Sequence, residues 1–114
     1  MAMKIYHNPV CSKSCGALEI MLQNGIKPQV VEYLQNEPTK EELTGILNML
    51  NMKPADIVRR NEPVFQSKYL GQHFTDEEWI DILLQHPELI ERPIIIKDGR
   101  AIIARPVERV LELL

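Results

Sequence analysis

The chain has 114 residues, a formal net charge of −3 and 45% hydrophobic residues, which is enough apolar content for one compact domain over residues 1–114. Its mild acidity argues against nucleic acid or an anionic membrane as a partner, since both attract a basic face. The apolar runs are too short to span a bilayer and no segment resembles a signal peptide, so we expect a cytoplasmic protein.

The first third of the chain predicts a strand, a helix and a second strand. The three elements are expected at residues 4–7, 12–24 and 29–34. Gly25 is a typical helix stop, and the third stretch is rich in β-branched and aromatic residues, as strands are. The connection between the two strands is long enough for a right-handed crossover, so we expect them to be parallel.

The middle of the chain is predicted to be helical. Thr39 and Glu42, and again Thr75 and Glu78, have the spacing of a capping box that begins a helix. Between them, Pro54 suits the first turn of a short helix. The apolar residues that follow these starts are expected to pack in the core.

A β-hairpin is predicted near the end of the chain. Residues 92–97 and 100–104 flank Asp98 and Gly99, a dipeptide favoured in the two-residue loop of a type I′ turn. The two strands should therefore be antiparallel neighbours.

A final helix is predicted after the hairpin. It opens at Pro106, and its apolar residues one turn apart are Val107, Val110, Leu111 and Leu114. The whole order of elements is that of an α/β protein with a thioredoxin-like fold. This plan has a four-stranded mixed sheet flanked by helices, with a helical insertion between the second and third strands.

Cys11 lies where the first strand should give way to the first helix. The free N–H groups and partial positive charge of a helix N-terminus lower a cysteine pKa from ~8.5 to about 3.5–7.5. We interpret Cys11 as a reactive thiolate, the alternative being a buried structural cysteine.

Three neighbours could support the Cys11 thiolate. His7 could favour the charged sulfur as an imidazolium, or simply end the strand with a hydrogen-bonded ring. Asn8 is a candidate cap for the turn before the helix. Ser14 and Ser12 could donate hydroxyl groups, although solvated side chains are the expectation for both.

Cys15 is expected to be a packed core thiol, on a buried helix stripe with Leu18 and Leu22. A bridge to Cys11 is disfavoured because Cβ atoms four residues apart on a helix lie about 5–6 Å apart, whereas a disulfide needs them near 3.5–4.5 Å. Two cysteines and three scattered histidines also lack the paired spacing of a zinc site, so no metal is expected.

Three arginines lie near the predicted ends of elements, at Arg59, Arg92 and Arg105. A cation at a helix start, as predicted for Arg105, costs roughly 0.3–1 kcal/mol unless an anion lies there. A guanidinium group binds two oxygens of one oxyanion at once, so the three arginines suggest an oxyanion site. Each alone could equally be a solvated or ion-paired surface charge, and Arg60 could replace Arg59.

Four blocks in order along the chain resemble the glutathione- and glutaredoxin-linked arsenate reductase family. The blocks are Tyr6-His7-Asn8-Pro9-Val10-Cys11, Ile57-Val58-Arg59-Arg60-Asn61, residues 84–94 and Ala104-Arg105-Pro106. The resemblance implies a thioredoxin-like fold with a helical insertion and a cis peptide bond before Pro93. It implies site residues in three roles: the nucleophile Cys11, the thiolate support His7, and the arsenate-binding arginines Arg59, Arg92 and Arg105.

The resemblance also implies the partners of the reaction. Arsenate or a similar oxyanion is the substrate, glutathione is the co-substrate, glutaredoxin restores the cysteine, and no tightly bound cofactor is needed. Two alternatives stay open on the residues alone. One is a general thiol-disulfide oxidoreductase that uses Cys11 and Cys15, and the other is a non-catalytic thiol-sensing adaptor or regulator with the same fold.

Overall fold

Two compact units make up the chain in a computed structural model that describes residues 3–113. The first unit is formed by Met1–Asn36 and Arg92–Leu114, and the second by Glu37–Glu91. The second unit is the helical insertion, because it follows the second strand and precedes the third. That the two units act as one domain over residues 1–114 stays a prediction.

The first unit contains the four-stranded mixed sheet that the sequence predicts. The strands are β1 (Met3–Tyr6), β2 (Gln29–Val31), β3 (Ile94–Lys97) and β4 (Arg100–Ile103), in the spatial order β2-β1-β3-β4. β1 pairs with β2 in parallel and with β3 antiparallel, and β3 pairs antiparallel with β4. β2 ends at Val31, earlier than predicted, because the chain turns at residues 32–35.

The hairpin between β3 and β4 follows from its loop residues. Asp98 and Gly99 both have positive φ, at 50° and 77°, as a type I′ turn requires. The loop sets a register in which Ile94 pairs with Ile103. The residues just before β3 and just after β4 therefore come together at one end of the hairpin.

One α-helix and one 3₁₀ helix belong to the same unit. α1 (Ser12–Gln23) is followed by Gly25 with φ of 76°, and the predicted final helix is a 3₁₀ helix, Val107–Leu113. Both pack against the sheet through a common core. Its fully buried members are Ile5, Ala17, Met21, Ile95, Ala104 and Val110. Leu114, predicted to close the final helix, lies outside the described residues.

The second unit is helical throughout its regular elements. They are α2 (Lys40–Leu50), α3 (Pro63–Lys68), α4 (Asp76–Gln85) and the 3₁₀ helices Pro54–Ile57 and Pro87–Leu89. Both predicted capping boxes are present, at the starts of α2 and α4. The sequence did not predict α3, since six residues with one buried side chain, Phe65, are too few to show a helical period.

Within residues 3–113, no helix combines the length and the apolar character that a membrane span needs.

Candidate active site

Cys11 is the residue immediately before α1. Its backbone is extended, with φ of −95° and ψ of 120°, and it holds the N-cap position of the helix. The Cys11 N–H donates to the Asn8 carbonyl at 3.0 Å, which closes a tight turn over residues 8–11. This turn directs the thiol toward the free N–H groups of the first helical turn. Cys11 is 9% exposed, so most of the residue is shielded from bulk water.

The pKa of the Cys11 thiol lies below its ordinary value. Burial alone raises the pKa, but hydrogen bonds from the Arg92 guanidinium and from the backbone N–H groups of Ser14 and Lys13 outweigh burial, and the positive charge of Arg92 adds to them. The sulfur is therefore set up as a thiolate, the form that acts as a nucleophile.

Arg92 and Arg105 converge on the Cys11 sulfur. Arg92 hydrogen-bonds to the sulfur, and Arg105 Nη2 lies 4.0 Å from Cys11 Sγ. Arg105 Nε also donates to the carbonyl oxygen of Arg92 at 2.6 Å. The peptide bonds that follow these arginines, before Pro93 and Pro106, are both cis, the first as the resemblance implies.

Tyr33 also belongs to this group, although it was not among the predicted site residues. It lies just after β2, is 1% exposed, and interacts electrostatically with the Arg92 guanidinium. Burial lowers the pKa of Arg92, but the hydrogen bond to Cys11 and the electrostatic interaction with Tyr33 raise it overall. Arg92 is therefore held in its charged form between a phenol and a sulfur. The one feature of the sequence that could have pointed to Tyr33 is that it is an aromatic residue at the end of a predicted strand.

His7 is part of a buried hydrogen-bond network at the end of β1. Its Nδ1 lies 2.5 Å from Ser14 Oγ, which also accepts the Asn8 N–H at 3.0 Å. Burial lowers the pKa of His7, although the charge of Glu32 raises it in part. A neutral ring fits this arrangement, with the Ser14 hydroxyl donating to Nδ1. The structure therefore favours the second alternative, a hydrogen-bonded ring at the strand end.

One expectation for the neighbours of Cys11 is corrected. Ser14 is fully buried rather than solvated, because it lies on the inward face of α1. Asn8 caps the turn before the helix, as expected, since its Oδ1 accepts the N–H of Val10 at 3.1 Å. The hydrogen bonds of both residues stabilise the turn.

Cys15 is exposed, so the prediction of a packed core thiol is wrong. Its Sγ donates to the Pro9 carbonyl at 3.3 Å. The face of α1 that packs against the sheet carries Ser14, Ala17 and Met21. Cys15 and Leu22, which is 54% exposed, fall on the outward side.

Arg59 and Arg60 belong to the helical unit. The Arg59 side chain pairs with Glu62 at 3.3 Å and with Glu91 at 3.0 Å. The backbone N–H of Arg59 donates to the Leu89 carbonyl. Arg60 instead lies over the rings of Phe65 and Trp79. The structure thus brings together Cys11, Arg92 and Arg105 in one unit, and the role of Arg59 in oxyanion binding stays a prediction.

The chain is similar to known proteins over nearly its whole length. The sequence profile of the ArsC family matches residues 6–113. The chain is 39% identical over 113 residues to the uncharacterized protein YfgD of Escherichia coli K12. The matched region covers 97% of this chain and 95% of that protein. The chain is 38% identical over 111 residues to an arsenate reductase of Escherichia coli, covering 96% and 79% of the two chains.

Solved structures show the same fold. An arsenate reductase from Vibrio cholerae matches with a TM-score of 0.95 and 39% identity, over 100% of this chain and 98% of that one. The fold is thioredoxin-like, as the order of elements predicted.

Proposed function

Because this chain belongs to the ArsC family, we propose that it is an arsenate reductase that uses Cys11 as its nucleophile. The observation that carries the proposal is the convergence of Arg92 and Arg105 on the sulfur of Cys11. A thiolate needs positive charge beside it to meet an oxyanion, because the two negative charges otherwise repel each other. The relatives named arsenate reductase supply the substrate class.

The first step joins the sulfur to arsenic. The Cys11 thiolate attacks arsenate, an S–As bond forms, and one oxygen leaves as water after it takes up protons. Arg92 and Arg105 neutralise the charge on the remaining oxygens, and Arg59 is the third arginine of this set. The N–H groups at the start of α1 provide further donors for the oxyanion.

The second step reduces the arsenic. The sulfur of glutathione attacks the Cys11 sulfur, the S–As bond breaks, and its electron pair stays on arsenic, which leaves as arsenite. Cys11 is then joined to glutathione in a mixed disulfide. A glutaredoxin thiolate attacks the glutathione sulfur, and Cys11 departs as a thiolate, which its low pKa favours.

A coupled assay tests the proposal. Purified protein, arsenate, glutathione and glutaredoxin are combined, and arsenite formation is measured directly. We expect turnover that requires all three reactants and is absent in Cys11→Ser. Arsenite formation by Cys11→Ser at the wild-type rate would contradict the assignment of the nucleophile.

A second arm tests the reductant. Replacing glutathione and glutaredoxin by thioredoxin should abolish turnover, because no mixed disulfide with glutathione then forms. Equal turnover with thioredoxin would overturn the proposed coupling while leaving the arsenate reductase assignment in place. Phosphate, with the same tetrahedral shape, should compete with arsenate for the arginines.

A further inference from the structure

A cleft of ≈ 570 Å³ lies in the helical unit Glu37–Glu91, and all the described residues that line it belong to that unit. We call it the aromatic cleft, after the rings of Phe65, Phe74 and Trp79 in its wall. The Phe65 and Trp79 rings are nearly parallel with centroids 6.2 Å apart, and Phe74 meets Trp79 edge to face at 4.9 Å. Its volume is in the usual range for small-molecule sites, roughly 300–1,000 Å³.

Arg60 is the cation of the aromatic cleft. Its guanidinium carbon lies 5.4 Å from the Phe65 ring centroid and 5.6 Å from that of Trp79. These cation–π contacts fix the plane of an otherwise flexible side chain. One of its donors, Nη2, binds the Ala55 carbonyl at 3.1 Å.

The charge of Arg60 is not neutralised within the part of the chain that the structure describes. No Asp or Glu side chain lines the aromatic cleft, and none of the ion pairs between described residues involves Arg60. This contrasts with Arg59, which pairs with two carboxylates. An unneutralised guanidinium with donors to spare, fixed on aromatic rings, favours an anion that carries an apolar body.

We propose that the aromatic cleft binds a small aromatic carboxylate. The planar carboxylate matches the geometry of the Arg60 guanidinium, and its negative charge balances the charge of Arg60. The ring of the ligand would pack against Phe74, the partly exposed ring of the cleft, which itself contacts the buried Trp79, in the stacked or edge-to-face geometry that aromatic pairs adopt. The proposal does not rest on arsenate reduction, because no residue of the Cys11 site lines this cleft. It gives Arg60 a role different from that of Arg59.

The single tryptophan makes the test direct. Trp79 is the only tryptophan of the chain, so its fluorescence and its one indole N–H signal in NMR spectra report on the aromatic cleft. Phenylacetate is titrated into the wild-type protein beside phenylacetamide, its uncharged counterpart. We expect saturable shifts with phenylacetate and an affinity for the amide weaker by about tenfold or more, the effect of losing a charge-assisted pair.

Two variants separate Arg60 from general charge effects. Arg60→Gln should weaken phenylacetate binding by about tenfold or more. Arg100→Gln, which removes the same charge from an exposed position on β4, should leave binding unchanged. Equal affinity for the acid and the amide, unchanged binding in Arg60→Gln, or no saturable shift in the wild type would each overturn the proposal. The comparison of the two ligands needs no variant, so it does not depend on how a substitution affects folding.

Discussion

The side chain of Arg105 is held by the main chain of Arg92, since Arg105 Nε donates to the Arg92 carbonyl oxygen at 2.6 Å. The register of the hairpin explains this contact. Ile94 pairs with Ile103, so a residue two positions before β3 lies beside one two positions after β4. The same contact leaves Arg105 Nη2 4.0 Å from the sulfur of Cys11. One guanidinium therefore ties the hairpin end to the nucleophile.

The first prediction concerns the guanidinium group of Arg105. Arg105→Gln removes a cation from the proposed oxyanion site, and we expect kcat/KM for arsenate to fall by about 10²–10³, the usual effect of losing an oxyanion donor. Arg105→Lys should recover only part of this loss. An ammonium group cannot donate to the Arg92 carbonyl and face the sulfur with the same geometry. Steady-state arsenite formation measures the effect.

The control for Arg105 is Arg100→Gln, because Arg100 is exposed on β4 and has none of these contacts. We expect its kcat/KM to remain near the wild-type value. Similar losses in Arg100→Gln and Arg105→Gln would show that net charge, rather than placement at the sulfur, supports the reaction.

The second prediction concerns the thiolate itself. Arg92→Gln removes the hydrogen bond and the positive charge that lower the pKa of Cys11, while burial, which raises it, remains. The pKa of Cys11 should therefore rise, and the thiolate should form at higher pH than in the wild type. Thiolate absorbance or the rate of alkylation by iodoacetamide, followed against pH in a Cys15→Ser background, measures it.

The lowered pKa of Cys11 also gives a pH dependence of stability. The unfolded chain holds the thiol proton at pH values where the folded protein has lost it, so folding is stabilised above the unfolded pKa of ~8.5. This contribution is lost as the pH falls through the folded pKa. It should be smaller in Arg92→Gln, and an unchanged Cys11 titration in that variant would contradict the proposed electrostatics.

Local sequence signals predicted the elements that depend on a few neighbouring residues. Asp98 and Gly99 specify a hairpin because few other residues tolerate two consecutive positive φ angles. Thr39 and Thr75 specify helix starts because each accepts a backbone N–H that would otherwise lack a partner. These features need no knowledge of the rest of the fold.

Contacts between distant parts of the chain were not predictable in the same way. The position of Tyr33 beside Arg92 depends on where β2 ends and on how it pairs with β1. The exposure of Cys15 depends on which face of α1 packs against the sheet, and neighbouring residues on a helix point about 100° apart. A stripe through Cys15 was as consistent with the apolar residues as the observed stripe through Ser14, Ala17 and Met21.

The third prediction concerns His7. Burial lowers its pKa, while the charge of Glu32 offsets part of this shift, so the ring should titrate below the ordinary value of ~6.5. Between the folded pKa and the unfolded pKa of ~6.5, the unfolded chain has His7 protonated whereas the folded protein does not. His7 therefore contributes stability above pH ~6.5, and this contribution is lost as the pH falls through the folded pKa.

NMR titration of the histidine ring signals and urea unfolding at a series of pH values measure the effect of His7. His7→Gln should show a smaller loss of unfolding free energy on acidification than the wild type. A His7 signal that titrates above pH 6.5 would instead support the imidazolium alternative.

The fourth prediction separates the two cysteines. Cys15 is exposed and binds the Pro9 carbonyl, whereas the hydrogen bonds from Arg92 and the helix N–H groups go to Cys11. Cys11→Ser should abolish arsenate turnover, and Cys15→Ser should retain most of it, within roughly twofold. Equal losses would favour a dithiol cycle. Free-thiol titration after oxidant treatment then shows whether a Cys11–Cys15 bond forms.

The last prediction concerns the third arginine. Arg59 has Nε and Nη1 paired with Glu62 and Glu91, which fixes its guanidinium plane and leaves the second terminal nitrogen for an oxyanion. Arg59→Gln should therefore raise KM for arsenate and lower kcat/KM by about tenfold or more. Arg60→Gln should cost less, because Arg60 is held on the rings of Phe65 and Trp79. A larger loss in Arg60→Gln would reverse the roles of the two arginines.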